Sequence, residues 1–482
     1  MAVAQGTCPS CGAPIEFGVG ASIAKVCDYC RATIVRGDSG FQNYGKIADL
    51  AHTPSLIAVG DQGTLAGRPF EVLGRVQLDH GAGPWDEYYV AFDHGQAWGW
   101  LAYAEGHWYV TSHLQGQPAP RFDQLRLEGD VDLGAAGSFR VFEIKTGKIV
   151  SAEGELPALF QPGQERHYAD LLGRNLAFAT LDYGDRSGGA TVFTGWVFAE
   201  PQMQVTQAGP RTIHKVKAEQ IKCPSCGGEV PALSGDRAER LGCPYCGAVS
   251  DIALQQVVAK QEALRKLPDI PVGSRGTFNG VEYVCIAYMR RGSDFDGEHF
   301  SWEEYLIWSQ PVGFRWLVKD PESGWSWVTP ANLADVDLRG LPEQVAWGGK
   351  LFNLRNNNVA RVEYVFGEVY WKCEVGEATE VSDFTAGKEV LSRELSASEV
   401  KWSHSAPIAW PVIAAGFGLP VDGPGGKFGG GGSQGGASGC AQAGGLLFII
   451  IVILLICAVG VLDDSGGSSS YRGGTGIFVG GK

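Results

Sequence analysis

The sequence contains no phosphate-binding loop. Gly147-Lys148, Gly349-Lys350 and Gly426-Lys427 are followed by neither Ser nor Thr, and none of these three pairs has a Gly five residues before its own Gly. No strand-to-helix turn carries a Gly-x-Ser-x-Gly elbow or a dinucleotide fingerprint, and no His-Glu-x-x-His is present. These absences remove the familiar nucleotide-binding, esterase and metalloprotease readings. A basic surface is missing too. The 482 residues carry a formal net charge of −14, which repels phosphate backbones and argues against nonspecific nucleic-acid binding. No local patch offsets it: around the first cysteine group Lys25, Arg31 and Arg36 stand against Glu16 and Asp28. The opening residues MAVAQGTCPSCG have neither a basic start nor an apolar stretch, so no secretory leader is expected. Outside two groups, cysteine is scattered singly at Cys285, Cys373, Cys440 and Cys457, unlike a disulfide-stapled secreted domain.

What is present is a repeat. Cys8, Cys11, Cys27 and Cys30 recur as Cys223, Cys226, Cys243 and Cys246, and Trp85-Asp86-Glu87-Tyr88 recurs as Trp302-Glu303-Glu304-Tyr305. The offset is 215 to 217 residues throughout. The cysteine spacing is that of a zinc ribbon: two residues between cysteines let a tight turn aim both sulfurs at one point, and two such turns complete a tetrahedron of thiolates. Four cysteines leave no open coordination position, so two structural Zn2+ ions are expected. Redox activity or an iron centre is the alternative; a thioredoxin-like site would need one Cys-x-x-Cys in a βαβ setting. Gly12, Gly227 and Gly247 follow three of the second cysteines, where positive φ is needed. Arg31 stands at the fourth such place and predicts a strained turn.

Each cysteine group precedes a β-rich region. Val59-Gly60-Asp61-Gln62-Gly63-Thr64 matches Val272-Gly273-Ser274-Arg275-Gly276-Thr277, Trp100-Leu101 matches Trp316-Leu317, and Ala152-Glu153-Gly154-Glu155 aligns with Val365-Phe366-Gly367-Glu368. Short aromatic strands with Gly turns predict an antiparallel sandwich or barrel in each copy. The connectors read as helices: residues 250–267 carry an apolar stripe through Ile252, Leu254, Val257, Val258, Leu264 and Leu267, and residues 43–56 a weaker one. Glu87 and Glu304 are shared and flanked by aromatics. Such a carboxylate can act as an acid or base, but more often it accepts hydrogen bonds from backbone or indole groups. His80, His94, His107 and His113 have no counterparts in the second copy and read as surface scatter. The 14 tryptophans read as core, with a ligand-binding aromatic face as the alternative.

Residues 446–462, LLFIIIVILLICAVGVL, are uncharged and apolar on every side. With the preceding Ala443, Gly444 and Gly445 they reach about 30 Å as a helix, the thickness of a bilayer core. A single transmembrane helix is expected there. Residues 419–445 are a Gly/Ser-rich tether reaching about 25–30 Å. Flanking charges (Lys427 before; Asp463, Asp464 and Arg472 after) give little orientation. Thiolate ligands favour a reducing compartment, which places the bulk of the chain in the cytoplasm.

The combination Val-Gly-x-x-Gly-Thr, Trp-x-Glu-Tyr, Trp-Leu, and Gly-Glu followed by Tyr370-Trp371 resembles a bacterial family known as domain of unknown function 4178. The resemblance covers residues 59–185 and 272–417; the first copy departs at Leu156-Pro157, where the second has Val369-Tyr370-Trp371. It implies a bacterial protein, a preceding zinc ribbon, a Gly-rich membrane-spanning tail and a context of membrane-stress or polyamine-related genes, from which a role in envelope maintenance is expected. It assigns no catalytic residue. The expected organisation is mainly β: ribbons at 1–36 and 217–250, connectors at 37–58 and 251–268, β domains at 59–200 and 269–418 and a linker at 201–216. A tether at 419–445, a span at 446–462 and a tail at 463–482 complete it. The expected role is recognition or scaffolding at the bacterial inner membrane with protein partners. An enzyme built on the carboxylates, or ribbons binding nucleic acid, are the competing readings.

Overall fold

The computed structural model describes residues 4–17, 22, 24–37, 40–46, 55–79, 84–104, 107–186, 188–198, 202–208, 220–231, 233, 240–251, 256–261, 268–295, 297–371 and 373–421. Alternating apolar residues and Gly turns in the first copy produce eight strands that close on themselves. In spatial order they are Arg68–Asp79, Pro84–Phe92, Ala97–Ala104, His107–His113, Thr191–Phe198, Ala177–Asp182, Glu165–Gly173 and Ser138–Leu156, which pairs back with Arg68–Asp79. The second copy repeats the circuit through Val281–Phe295, Glu298–Ser309, Gly313–Asp320, Gly324–Ala331, Val400–Pro407, Glu389–Leu395, Ala378–Ala386 and Lys350–Val369, which returns to Val281–Phe295. Of the two β architectures expected, the closed barrel is the one formed. Closure leaves the ring without an unpaired edge.

One strand in each copy does two jobs. Ser138–Leu156 and Lys350–Val369 complete the rings and then run on to pair with the ribbons: Lys25 lies opposite Glu155 in the first, and Leu241 opposite Glu368 in the second. The switch between partners occurs at Gly154 (φ +73°) and Gly367 (φ +92°). A Cβ at either would lie 2.3 Å from a neighbouring carbonyl oxygen, that of Leu73 or Ile286. This is the physical content of the shared Gly-Glu pair: only glycine fits where three strands meet.

The connectors differ from expectation. Gln256–Lys260 and Gly40–Lys46 are strands, each added to the ribbon hairpin beside it. A short apolar run cannot tell helix from strand by period alone, and here a waiting sheet edge decides it. The copies also end differently. In the first, Met203–Thr206 pairs with Gln62–Leu65. In the second, the helix Trp410–Phe417 packs Ile413 and Phe417 into the cluster that holds Phe278, Tyr283 and Cys285. It is the only α-helix among the described residues. No described helix is long and apolar enough to cross a membrane; the expected span at 446–462 lies outside the described residues.

The two copies share one hydrophobic core, in which Phe142, Phe160 and Phe178 of the first join Leu333, Val336, Phe352 and Trp402 of the second. Arg393 grips Glu128 with two hydrogen bonds of 2.9 and 2.6 Å, and the Trp402 indole donates to the same carboxylate at 3.0 Å. Asn332 donates to the Gly173 carbonyl at 3.0 Å, and Arg140 to those of Leu333 (2.9 Å) and Val336.

Candidate metal centres and the buried carboxylate cluster

The four cysteine turns are built alike. The first cysteine of each accepts a backbone N–H from the residue after the second cysteine: Gly12 to Cys8 (2.8 Å), Arg31 to Cys27 (3.0 Å), Gly227 to Cys223 (2.8 Å) and Gly247 to Cys243 (3.1 Å). Those four donors have φ of 77°, 61°, 71° and 67°. The expected strain at Arg31 is therefore real, since L residues other than glycine rarely adopt this conformation. The turns bring Cys8 Sγ to 3.7 Å from Cys30 Sγ and Cys11 Sγ to 3.8 Å from Cys27 Sγ. Cys223 to Cys246 and Cys226 to Cys243 repeat these separations, 3.7 and 3.8 Å. In each group all four sulfurs lie within 4.8 Å of one another. Four thiolates about 2.3 Å from a zinc ion stand about 3.8 Å apart, whereas a disulfide needs about 2.05 Å. The sulfur sets thus fit a tetrahedral metal ion. Backbone amides prepare two of them. The Ala32 N–H lowers the Cys30 thiol to about 6, and at Cys246, where burial acts in the opposite sense, the Ala248 N–H helps bring it down to about 7.

The purified chain is expected to carry two metal ions by elemental analysis. Cys27→Ser and Cys243→Ser should each lose one, and a metal-free wild type would remove the site altogether.

The Trp-x-Glu-Tyr signature pairs its own residues on both faces of the strand. Residues two apart on a strand share a face. Trp85 donates its indole N–H to Glu87 at 3.1 Å, and Trp302 to Glu304 at 2.7 Å. On the opposite face the Tyr88 hydroxyl lies 3.5 Å from Asp86, and that of Tyr305 2.7 Å from Glu303. Trp85 also reaches across the ring to Tyr168, on a strand not adjacent to its own. Glu87 therefore points inward, and it is fully buried.

Glu87 has company that was not singled out in the sequence. Glu143 lies opposite Asp170, and Lys145 opposite Tyr168, all on the inner face. Glu399 of the second copy enters the same region: Ser398 accepts the Ile144 backbone N–H at 2.8 Å, and Lys145 contacts both Glu143 and, at 3.7 Å, Glu399. Lys401 lies 3.0 Å from Glu399. Burial, followed by the nearby Glu143, holds the Asp170 carboxyl well above the ordinary range. The Thr180 hydroxyl donates to it at 2.6 Å. The second ring repeats part of this: Ser392 donates to Asp383 at 2.6 Å, and Arg291 bridges Glu394 (2.7 Å) and Glu304 (3.5 Å). Asn356 and Asn358, however, occupy the strand positions of Glu143 and Lys145.

The histidines divide. His94 and His113 are exposed, as surface scatter requires. His107 is half-buried, and burial followed by Arg315 of the second copy lowers it to about 4. His80 lies outside the described residues.

The family described as Domain of unknown function (DUF4178) matches residues 58–199 and 271–409. The chain belongs to this family. The two matched stretches coincide with the two closed rings, so the family unit is the eight-strand barrel, and the cysteine turns lie outside it. No curated protein and no solved structure matches the chain.

Proposed function

We propose that this DUF4178 protein is a membrane-tethered scaffold or recognition protein in which two zinc ribbons stiffen two joined barrels. The observation that carries the reading is the use made of the shared carboxylates. Glu87 and Glu304 are buried and each accepts the indole of its own tryptophan, which is a structural role rather than a poised chemical one. Zinc is the ion of choice for a closed four-thiolate site. The tether and apolar stretch at 419–462 would hold the barrels at the inner membrane with the thiolates in the cytoplasm, where protein partners are recruited. The raised Asp170 carboxyl favours a second reading, general acid–base chemistry, but its complete burial among Glu143, Lys145 and Thr180 leaves a substrate no approach.

Two measurements test this. Crosslinked pull-down from native membranes should recover a defined partner with the full chain and lose it with a chain ending at Pro424; equal recovery would remove the membrane from the proposal. Glu304→Gln should weaken the fold by about 1–2 kcal/mol and reduce any cellular effect only in step with protein abundance. Loss of the effect at unchanged abundance would point to chemistry instead.

A further inference from the structure

The two cysteine sites have the same sulfur geometry and different supports. We infer that they are not equivalent: the N-terminal site exchanges its metal, while the C-terminal site keeps its metal as part of the fold. This rests on the metal-binding reading above and refines it.

The first difference lies in the turn itself. Three of the four turns place glycine at the left-handed position, and the exception, Arg31 at φ +61°, belongs to the N-terminal site. Metal binding holds that turn in its strained form, so release of the ion relieves the strain. A left-handed L residue weakens binding about 5- to 30-fold relative to glycine. The Arg31 charge works the other way on a cluster of thiolates. Part of it, however, is directed at Glu153, whose carboxyl is raised by burial and drawn back first by Arg75 and then by Arg31.

The second difference lies in the sheet next to the ligands. In the C-terminal ribbon Gly242, which precedes the ligand Cys243, is laddered to Gly367 of the long strand. Its counterpart Val26, which precedes Cys27, has no such pairing with Gly154; the first ladder stops at Lys25 and Glu155. A clamp closes over the other side of the C-terminal site. The Gln261 backbone N–H donates to the Gly247 carbonyl at 2.8 Å, and its side-chain amide accepts the Val365 N–H at 3.0 Å and donates to the Val365 carbonyl. Gly247 is held so closely that a Cβ there would lie 2.0 Å from the Gln261 oxygen. Opening the C-terminal site therefore disturbs a ladder that reaches the residue next to its ligand, whereas in the first site the ladder ends one residue earlier, at Lys25 and Glu155.

The test uses the full zinc-loaded chain in mild detergent, mixed with excess 4-(2-pyridylazo)resorcinol, whose colour reports released zinc. Two phases of one equivalent each are expected. Cys27→Ser should remove the fast phase and Cys243→Ser the slow one. Arg31→Gly should slow the fast phase about 5- to 30-fold, and Gly247→Ala should convert the slow phase to a fast one without touching the first site. A single phase of two equivalents, a fast phase assigned to the C-terminal site, or a fast phase indifferent to Arg31→Gly would overturn the inference and leave the metal sites standing. A chain that carries no zinc would overturn the metal reading itself.

Discussion

Lys145→Met is expected to lower the unfolding free energy by about 3–5 kcal/mol, the usual consequence of removing one partner from a buried ion pair. Lys145 is the cation that lies between Glu143 of its own ring and Glu399 of the other, and both carboxylates are almost wholly excluded from water. Without it they face each other, Glu87 and the Asp170 carboxyl, with Lys401 3.0 Å from Glu399. Because Glu399 belongs to the second copy, the loss should appear as separation of the two barrels in chemical denaturation, with two transitions replacing one. A companion variant isolates the proton on Asp170. Its folded pKa is raised, so its contribution to stability is complete below the ordinary carboxylate pKa of about 3.9 and is lost as pH rises towards the folded value. Asp170→Asn has no such dependence. The difference between variant and wild type should move in favour of the variant by about 1.4 kcal/mol per pH unit from about pH 4 up to the raised folded value. Parallel pH profiles for the two proteins would mean that Asp170 is not held protonated.

Gly367→Ala should be the most damaging single methyl in the second barrel. Two effects combine there: φ of +92°, and a Cβ position 2.3 Å from the Ile286 carbonyl oxygen. Gly376 separates them, since it has φ of +91° and nothing within 4 Å of a Cβ. Gly376→Ala is therefore expected to cost about 1 kcal/mol from backbone strain alone, and Gly367→Ala more than about 3 kcal/mol. Equal midpoints in urea for the two variants would refute the close strand contact. Gly367 also pairs with Gly242 beside Cys243, so the variant should lose zinc from the C-terminal site as well as stability.

These two expectations mark what could and could not be read from residues alone. The cysteine turns, Trp-x-Glu-Tyr and Gly-Glu were visible because each is a short local device that recurs with its chemistry intact. Ring closure was not visible, since it depends on pairing Lys148 with Asp79 and Gly154 with Gly74, contacts with no local sequence signature. The connectors misled for a related reason: Val257 and Val258 suit a helix stripe or a strand, and the neighbouring hairpin chooses. The Asp170 cluster escaped because the repeat is broken there, with Asn356 and Asn358 in place of Glu143 and Lys145. A faint signal did exist, in Asp170 with Thr180 and Asp383 with Ser392, which keep the same acid–hydroxyl pairing in both copies.

The unequal ends of the two copies also have a mechanical meaning. The outermost element of the first is a strand held by a backbone ladder, Met203 to Leu65 through Thr206 to Gln62. The outermost element of the second is the helix Trp410–Phe417, seated by Ile413 and Phe417 with no ladder to the barrel. The glycine-rich stretch begins directly after it. Tension applied through that stretch would load greasy side-chain contacts before any rung of hydrogen bonds, so under a pull the helix should peel away first and bare the Arg275–Phe278 strand while both barrels stay shut.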